Sequence, residues 1–163
     1  MKILIVDDEE IQRRKLARLI SESSISFSDI LCAPDVPGAI EIIESQHPSI
    51  VLSDIRMPVK DGLELTQYIQ ESYPEILVIL VTGYSEFEYA QAAIRYNVFD
   101  YILKPIDDEE LNESLKRAVR KLDKKHSLEN QKINTVKAMM TVAITNHRDD
   151  TVGNITESEK EPV

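Results

Sequence analysis

Only one cysteine, Cys32, occurs in the 163 residues, so the chain cannot form an internal disulfide. Because Cys32 lies among apolar residues, we expect it to be a small core residue rather than a reactive thiol.

Tryptophan is absent and glycine occurs only four times. No G-x-G-x-x-G motif or Walker lysine loop follows a predicted strand, so the sequence does not favour a nucleotide-binding domain.

Long hydrophobic runs are also missing. The longest apolar stretch, residues 76–81, is far too short to cross a membrane. The apolar run at residues 3–6 is too short for a secretory signal, and acidic residues follow it directly. We therefore expect a cytoplasmic protein that does not contact a membrane.

Positive charge is scarce in most of the chain. The net charge is −10; residues 1–120 carry 12 Lys/Arg and 22 Asp/Glu, whereas residues 121–163 carry seven of each. An acidic domain repels a phosphate backbone, and the second segment has no basic excess to compensate for it. We therefore expect no direct nucleic-acid binding by this chain.

Five short apolar runs predict buried strands. They are continuous rather than alternating, which is typical of a parallel sheet covered on both faces. A helical pattern follows each run, and right-handed connections then give an α/β fold, a (βα)5 doubly wound, five-stranded parallel sheet. The runs are residues 3–6, 30–33, 50–52, 76–81 and 101–103. The apolar markers of the helices are Ile11, Leu16, Leu19 and Ile20; Ala39, Ile40 and Ile43; Leu63, Leu65 and Ile69; Phe87, Ala90, Ala93 and Ile94; and Leu111, Leu115, Val119 and Leu122.

Polar residues follow four of the five predicted strands. The first strand ends in Asp7 and Asp8, and the third ends in Asp54. Thr82 ends the fourth strand, and Lys104 follows the fifth. Ligands of doubly wound sheets bind beyond the carboxyl ends of the strands, so we expect these side chains to converge.

The converging groups suit phosphoryl transfer. Three carboxylates on one rim raise one another's pKa, and a hard divalent cation such as Mg²⁺ relieves this repulsion. One carboxylate is then available as a nucleophile that forms an aspartyl-phosphate. Lys104 and Thr82 supply the cationic and hydroxyl donors that a transferred phosphoryl group requires.

Four stretches resemble the receiver domain of bacterial two-component response regulators. They are ILIVDDEE (3–10), LSDIRMPVKDGLEL (52–65), LVTGYSEFEYA (80–90) and DYILKPI (100–106), and they occur in the family's order over about 120 residues. The resemblance implies a flavodoxin-like receiver fold and a phosphorylation-driven switch rather than an enzyme. GYSEFEYA (83–90) further resembles receivers joined to AraC-type, YesN-like DNA-binding domains.

The resemblance also implies residue roles. Asp54 is the expected phosphoacceptor, charged by a sensor histidine kinase. Asp7 and Asp8 are expected to hold Mg²⁺ together with Asp54, with Asp8 the direct ligand of the pair, and Arg56 supplies a further ligand through its backbone carbonyl. Lys104 is expected to contact the phosphoryl group, and a cis peptide to join it to the following proline, a geometry open to X–Pro bonds.

Thr82 and Tyr101 are the switch pair that the resemblance implies. The hydroxyl of Thr82 is drawn to the phosphoryl group, and the ring of Tyr101 turns inward into the vacated space. The surface of the fourth helix, fifth strand and fifth helix then changes, and it is the expected homodimer face.

We also expect Tyr84 and Arg56 to restrict the attacking water and lengthen the phosphorylated lifetime. Tyr84, Phe87 and Tyr89 as a group fit either a partner-binding surface or core packing.

An aspartyl-phosphate phosphohydrolase of similar α/β fold is the alternative function. Haloacid-dehalogenase-type sites need a second aspartate two residues after the nucleophile as acid and base. This chain has Arg56 at that position, which argues against the alternative.

The C-terminal segment has coiled-coil spacing. Its seam positions advance by alternate fours and threes, although two of them, His126 and Glu129, are polar. One interpretation is a signalling helix that extends the fifth helix and pairs two chains; the other is a partly helical linker. We therefore expect a receiver domain over 1–121, a helical linker over 122–146 and a disordered tail over 147–163, with transcriptional output through a missing or separate effector. The seam positions are Leu115, Val119, Leu122, His126, Glu129, Ile133, Val136, Met140 and Ala143.

Overall fold

A computed structural model describes residues 1–83 and 87–153 of the chain. It divides into two compact units, Met1–Arg120 and Lys121–Val163. Strands and helices alternate along the chain, as the apolar runs predict. The elements are β1 (Lys2–Val6), α1 (Glu10–Glu22), β2 (Asp29–Ala33), α2 (Val36–Gln46), β3 (Ile50–Asp54), α3 (Gly62–Ser72), β4 (Leu77–Thr82), α4 (Phe87–Arg95), β5 (Asp100–Leu103) and α5 (Asp108–Gly153).

The five strands form one parallel sheet in the order β2-β1-β3-β4-β5. The strand order reverses between β1 and β3, so the topological switch point lies at their carboxyl ends. β3 is buried at all five residues, which explains its continuous apolar run. The predicted (βα)5 doubly wound fold is confirmed.

The core of the first unit lies between the sheet and its helices. Leu4, Val51 and Leu80 of the sheet are fully buried in one cluster with Ile43 of α2 and Leu65 of α3. Side chains alternate across each strand, so neighbours such as Ile3 and Ile79, which are also fully buried, face the other side. Both faces of the sheet are therefore covered, as a parallel sheet requires.

Two loops that lead into helices are closed by side-chain caps. The carboxylate of Asp35 accepts a hydrogen bond from the N–H of Gly38 at the start of α2, where a proline occupies the first turn. Asp61 and Glu64 form a capping box at the start of α3. The capping box of Asp61 and Glu64 fixes the end of the loop that follows Asp54.

Three apolar residues expected in the core are exposed instead. Cys32 is exposed because β2 is an edge strand of the sheet, so the expectation of a core cysteine is wrong. Ile11 of α1 and Ile94 of α4 are 80% and 81% exposed. Apolar spacing identified both helices correctly, but each helix presents one of its apolar residues to solvent.

The second unit is helical in its described part. Side chains from 123 to 145 are exposed throughout, whereas Leu122 is 7% exposed. α5 extends to Gly153, past the boundary at 146 where we expect the tail to begin, because no proline or glycine interrupts residues 147–152. Residues 154–163 lie outside the described part. No helix within the described residues is both long and apolar enough for a membrane span.

Candidate functional site

The carboxyl end of β1 presents two aspartates with different surroundings. Asp7 is 1% exposed, and its Oδ1 accepts a hydrogen bond from the N–H of Glu9 at 2.9 Å. Asp8 is exposed. The guanidinium of Arg13 donates to the backbone carbonyls of Asp7 (2.7 Å) and Asp8 (3.2 Å). Arg13 therefore anchors the turn that orients both aspartates, a role that sequence reasoning missed because its partners are backbone atoms.

Asp54 lies at the end of β3 and is 9% exposed. The N–H of Ile55 donates to the carbonyl of Val81 at 3.2 Å, which extends the pairing of β3 with β4 past Asp54. The N–H of Gly62 donates to the carbonyl of Ile55 at 2.8 Å and closes the loop. The backbone on both sides of Asp54 is thus fixed by hydrogen bonds.

Lys104 joins the two buried aspartates. Its Nζ lies 3.2 Å from Oδ2 of Asp7 and 3.3 Å from Oδ1 of Asp54. The backbone N–H of Lys104 donates to the carbonyl of Thr82 at 2.8 Å, which continues the pairing of β5 with β4. The peptide bond between Lys104 and Pro105 is cis, as expected.

The electrostatics of these groups are strongly coupled. Burial raises the pKa of Asp54, and the nearby ammonium of Lys104 opposes this without cancelling it. Burial alone would lower the pKa of Lys104, but Asp54 and Asp7 together raise it above its usual value. The site therefore contains a carboxylate whose charge is costly and a lysine that is held protonated.

Oxygen atoms of three carboxylates come together at this edge of the sheet. One oxygen each from Asp7, Asp8 and Asp54 lies within 4.8 Å of the others. A set made only of oxygen donors, with one exposed member, suits a hard divalent cation that keeps several waters. The residues therefore fit Mg²⁺.

Thr82 and Tyr101 lie on the same face of the sheet. Tyr101 pairs with Leu80 in the register of β4 and β5, and Thr82 is two residues after Leu80 on β4. Thr82 is fully buried, whereas Tyr101 is half-buried and packs against the core cluster. The two residues are thus diagonal neighbours on one face of the sheet.

Arg56 contacts Tyr89 of α4. Its Nε donates to the hydroxyl of Tyr89 at 3.0 Å, and the guanidinium lies 5.6 Å from the centre of the tyrosine ring. Tyr89 also packs against the core cluster, so it serves as core packing and as a partner of Arg56. The sequence gives no signal for this pair because 33 residues separate its members. Tyr84 and the side chain of Phe87 lie outside the described residues.

Comparisons with a family model and with curated proteins point to the same family. Residues 3–116 match the model of the response regulator receiver domain. The chain is 39% identical over 121 residues to the transcriptional regulatory protein HptR of Staphylococcus aureus, an alignment that covers 74% of this chain and 47% of HptR. The chain thus spans about half the length of the curated relatives it matches.

Solved structures agree with this match. A two-component transcriptional regulator AraC from Clostridium phytofermentans is similar with a TM-score of 0.69 and 36% identity, over 78% of this chain and 98% of that one. The receiver domain of AraT from Geobacillus stearothermophilus has a TM-score of 0.67 and 36% identity, over 77% and 97%. With the family model matched from β1 into α5, the chain belongs to the response regulator receiver domain family.

Proposed function

We propose that Asp54 accepts a phosphoryl group from a sensor histidine kinase and that its phosphorylation switches the conformation of the domain. The observation that carries this proposal is the position of the Lys104 ammonium, 3.2 Å from Asp7 and 3.3 Å from Asp54. A fixed cation beside a buried carboxylate is well placed to neutralise the charge that builds up during phosphoryl transfer.

The reaction assigns a role to each residue. An oxygen of Asp54 attacks the phosphorus of a phosphohistidine; the P–O bond forms as the P–N bond breaks, and the imidazole leaves with the electron pair and takes up a proton. Lys104 leaves its carboxylate partners in part to contact the phosphoryl oxygens. The hydroxyl of Thr82 donates to the same group. The chain is a phosphoacceptor and, apart from slow self-dephosphorylation, not an enzyme.

Mg²⁺ is the proposed cofactor. Asp7, Asp8 and Asp54 would hold it together with the backbone carbonyl of Arg56, with Asp8 as the direct ligand of the acidic pair. When bound, Mg²⁺ supplies positive charge between the carboxylates and the phosphoryl oxygens. Asp8 suits this role because it is the exposed member of the cluster.

The output of the switch is proposed to be transcription. Phosphorylation favours the state in which Thr82 and Tyr101 move inward, and the α4–β5–α5 face then becomes a homodimer contact, with the C-terminal helix as a second candidate contact. The relative HptR is named a transcriptional regulatory protein, and the proposed output of this chain runs through a missing or separate effector. We place the receiver domain at 1–121, the linker at 122–146 and a tail at 147–163, whose first residues, up to Gly153, continue α5. We place the protein in the cytoplasm, where the ATP that supplies a kinase is found.

The test is phosphorylation by a small donor. The chain incubated with Mg²⁺ and acetyl phosphate is expected to accumulate one phosphoryl group, seen as a single mass increment. Asp54→Ala removes it, whereas Asp29→Ala, an exposed aspartate at the start of β2, keeps it. Rapid turnover of acetyl phosphate without accumulation would instead support the phosphohydrolase alternative.

A further inference from the structure

The helix of the second unit has a long stretch of uncovered apolar side chains. Every residue from 123 to 145 is exposed. Large exposed apolar patches mark interaction sites in proteins. The large apolar residues, each 50% to 66% exposed, are Leu128, Ile133, Val136, Met139, Met140, Val142 and Ile144.

Only part of the coiled-coil seam is available to a second chain. Leu115 is fully buried and Leu122 is 7% exposed, so these seam positions are already covered. The next two positions, His126 and Glu129, are polar. The free apolar seam therefore begins at Ile133 and continues through residues 136, 140 and 143.

The spacing of this free seam identifies its occupant. Steps of three and four residues keep side chains on one face of a helix, where they fit as knobs into holes of an identical helix. Ile133 and Met140 occupy the a positions of this seam, and Val136 and Ala143 occupy the d positions. We infer that residues 133–144 pair with the same residues of a second copy of this chain, as a parallel two-stranded coiled coil. This inference builds on the proposed function only in choosing the C-terminal helix as a dimer contact.

The residues beside the seam favour the parallel orientation. In a parallel coiled coil, the residue just before an a position (position g) lies next to the residue five positions later (position e) on the other helix. Met139 then lies beside Ile144 of the second copy, and this apolar pair forms twice. An antiparallel pair centred on the same seam places Ile144 beside the polar Asn130. The parallel arrangement therefore gives Ile144 an apolar neighbour, which the antiparallel one does not.

The same pattern limits the strength of the pairing. The free seam covers fewer than two heptads, and a self-sufficient coiled coil needs about three or four. Lys132 lies next to Lys137 of the second copy, and Glu129 lies opposite Glu129 of the second copy. These like charges repel each other, so they oppose extension of the coiled coil toward the receiver domain. The dimer is accordingly weak and its population depends on protein concentration.

Cysteine cross-linking of the full chain tests the pairing and its orientation. The exposed native thiol is removed by Cys32→Ser. Val136→Cys is then added, or Thr135→Cys, which lies about 100° around the helix from Val136 and off the seam. The Val136→Cys chain is expected to form a disulfide dimer at least about tenfold faster than the Thr135→Cys chain. In a parallel pair each seam residue lies opposite the same residue of the second copy, which brings the two thiols within bonding distance. Equal rates would overturn the inference. The parallel orientation would be overturned if a mixture of Met140→Cys and Val136→Cys chains formed the mixed disulfide faster than Val136→Cys chains cross-link with one another.

Sedimentation of the unmodified and substituted chains gives an independent readout. The average mass is expected to rise with concentration, and Val136→Glu is expected to weaken dimerisation at least about tenfold while Thr135→Glu does not. Circular dichroism confirms that each variant folds. A chain that stays monomeric overturns the inference and leaves the face to a different protein. The experiments use unphosphorylated protein without Mg²⁺, so their outcome is separate from that of the Asp54 test.

Discussion

Gly62 packs directly against the backbone of Asp54. A Cβ atom built on Gly62 would lie 2.1 Å from the carbonyl oxygen of Asp54 and 3.1 Å from the Cα of Ile55. Gly62 does not have a positive φ, so this position requires glycine for space and not for backbone freedom. The loop that follows Asp54 can return to the strand end only because no side chain intervenes.

We therefore expect Gly62→Ala to destabilise the domain and disturb the site. The added methyl group forces the backbone of Asp54 to move, which costs about 2–3 kcal/mol of unfolding free energy. Urea unfolding measures the loss, and phosphorylation by acetyl phosphate is expected to fall with it. Gly38→Ala is the control, since its nearest neighbour is the flexible carboxylate of Asp35 at 3.1 Å. A Gly62→Ala chain as stable as the Gly38→Ala chain would contradict the packing argument.

The same loop contains a strained residue. Val59 has a φ of 70°, which a β-branched residue rarely adopts, and it is fully exposed. The N–H of Lys60 donates to the carbonyl of Pro58 at 2.9 Å, so the turn is tight around Val59. No burial of the Val59 side chain compensates for the strain.

Val59→Gly is accordingly expected to stabilise the domain. Relief of the backbone strain outweighs the greater flexibility of glycine in the unfolded chain, for a net gain of about 1 kcal/mol. Val59→Ala, which keeps a Cβ atom, is expected to gain much less. Urea midpoints of the three proteins give the comparison, and a glycine variant that unfolds at lower urea than wild type would refute the strain.

Magnesium is expected to stabilise the unphosphorylated chain. A ligand that binds only the folded state at about 100 times its Kd adds about 2.7 kcal/mol. Thermal unfolding with Mg²⁺ and with EDTA measures the shift. Asp8→Asn is expected to abolish most of it, whereas Asp29→Asn retains it; an unchanged shift in Asp8→Asn would exclude Asp8 as a ligand.

Arg56 is expected to slow the loss of the phosphoryl group. Its guanidinium is held beside Tyr89, and Arg56 lies two residues after Asp54, so we expect it to restrict the approach of water. Arg56→Ala should raise the dephosphorylation rate about tenfold, a change of about 1.4 kcal/mol in the barrier. Tyr89→Phe keeps the ring and should give a smaller increase. Decay of the phosphorylated mass after donor removal measures the rates, and an Arg56→Ala rate equal to wild type would reject this role.

Much of the fold follows from local sequence. Continuous apolar runs and helical spacing identified all five strands and five helices, because burial on both faces of a parallel sheet leaves a strong local pattern. The exposure of Cys32 and Ile94 could not be obtained in this way. Whether a strand is at the edge, and which residue of a short helix faces solvent, depends on the three-dimensional arrangement.

The site was predictable only in part for a similar reason. Asp54 ends β3, and Asp7 and Lys104 directly follow β1 and β5, so the sheet brings them together once the topology is known. The contacts of Arg13 with backbone carbonyls and of Arg56 with Tyr89 depend on loop conformation, which carries no periodic signal. The need for glycine at 62 likewise comes from a contact with Asp54 across a loop.

Thr82 is expected to couple phosphorylation to the position of Tyr101. Thr82 is fully buried and shares a face of the sheet with the half-buried Tyr101, so we expect movement of its hydroxyl toward the phosphoryl group to open space for the ring. Fluorine NMR of fluorotyrosine-labelled protein, assigned with Tyr101→Phe, reports the ring. The Tyr101 resonance should shift on phosphorylation in wild type and in Thr82→Ser, which keeps the hydroxyl. In Thr82→Val the chain should still be phosphorylated, but the shift should be largely lost. A full shift in Thr82→Val would mean that Tyr101 responds to phosphorylation by another route.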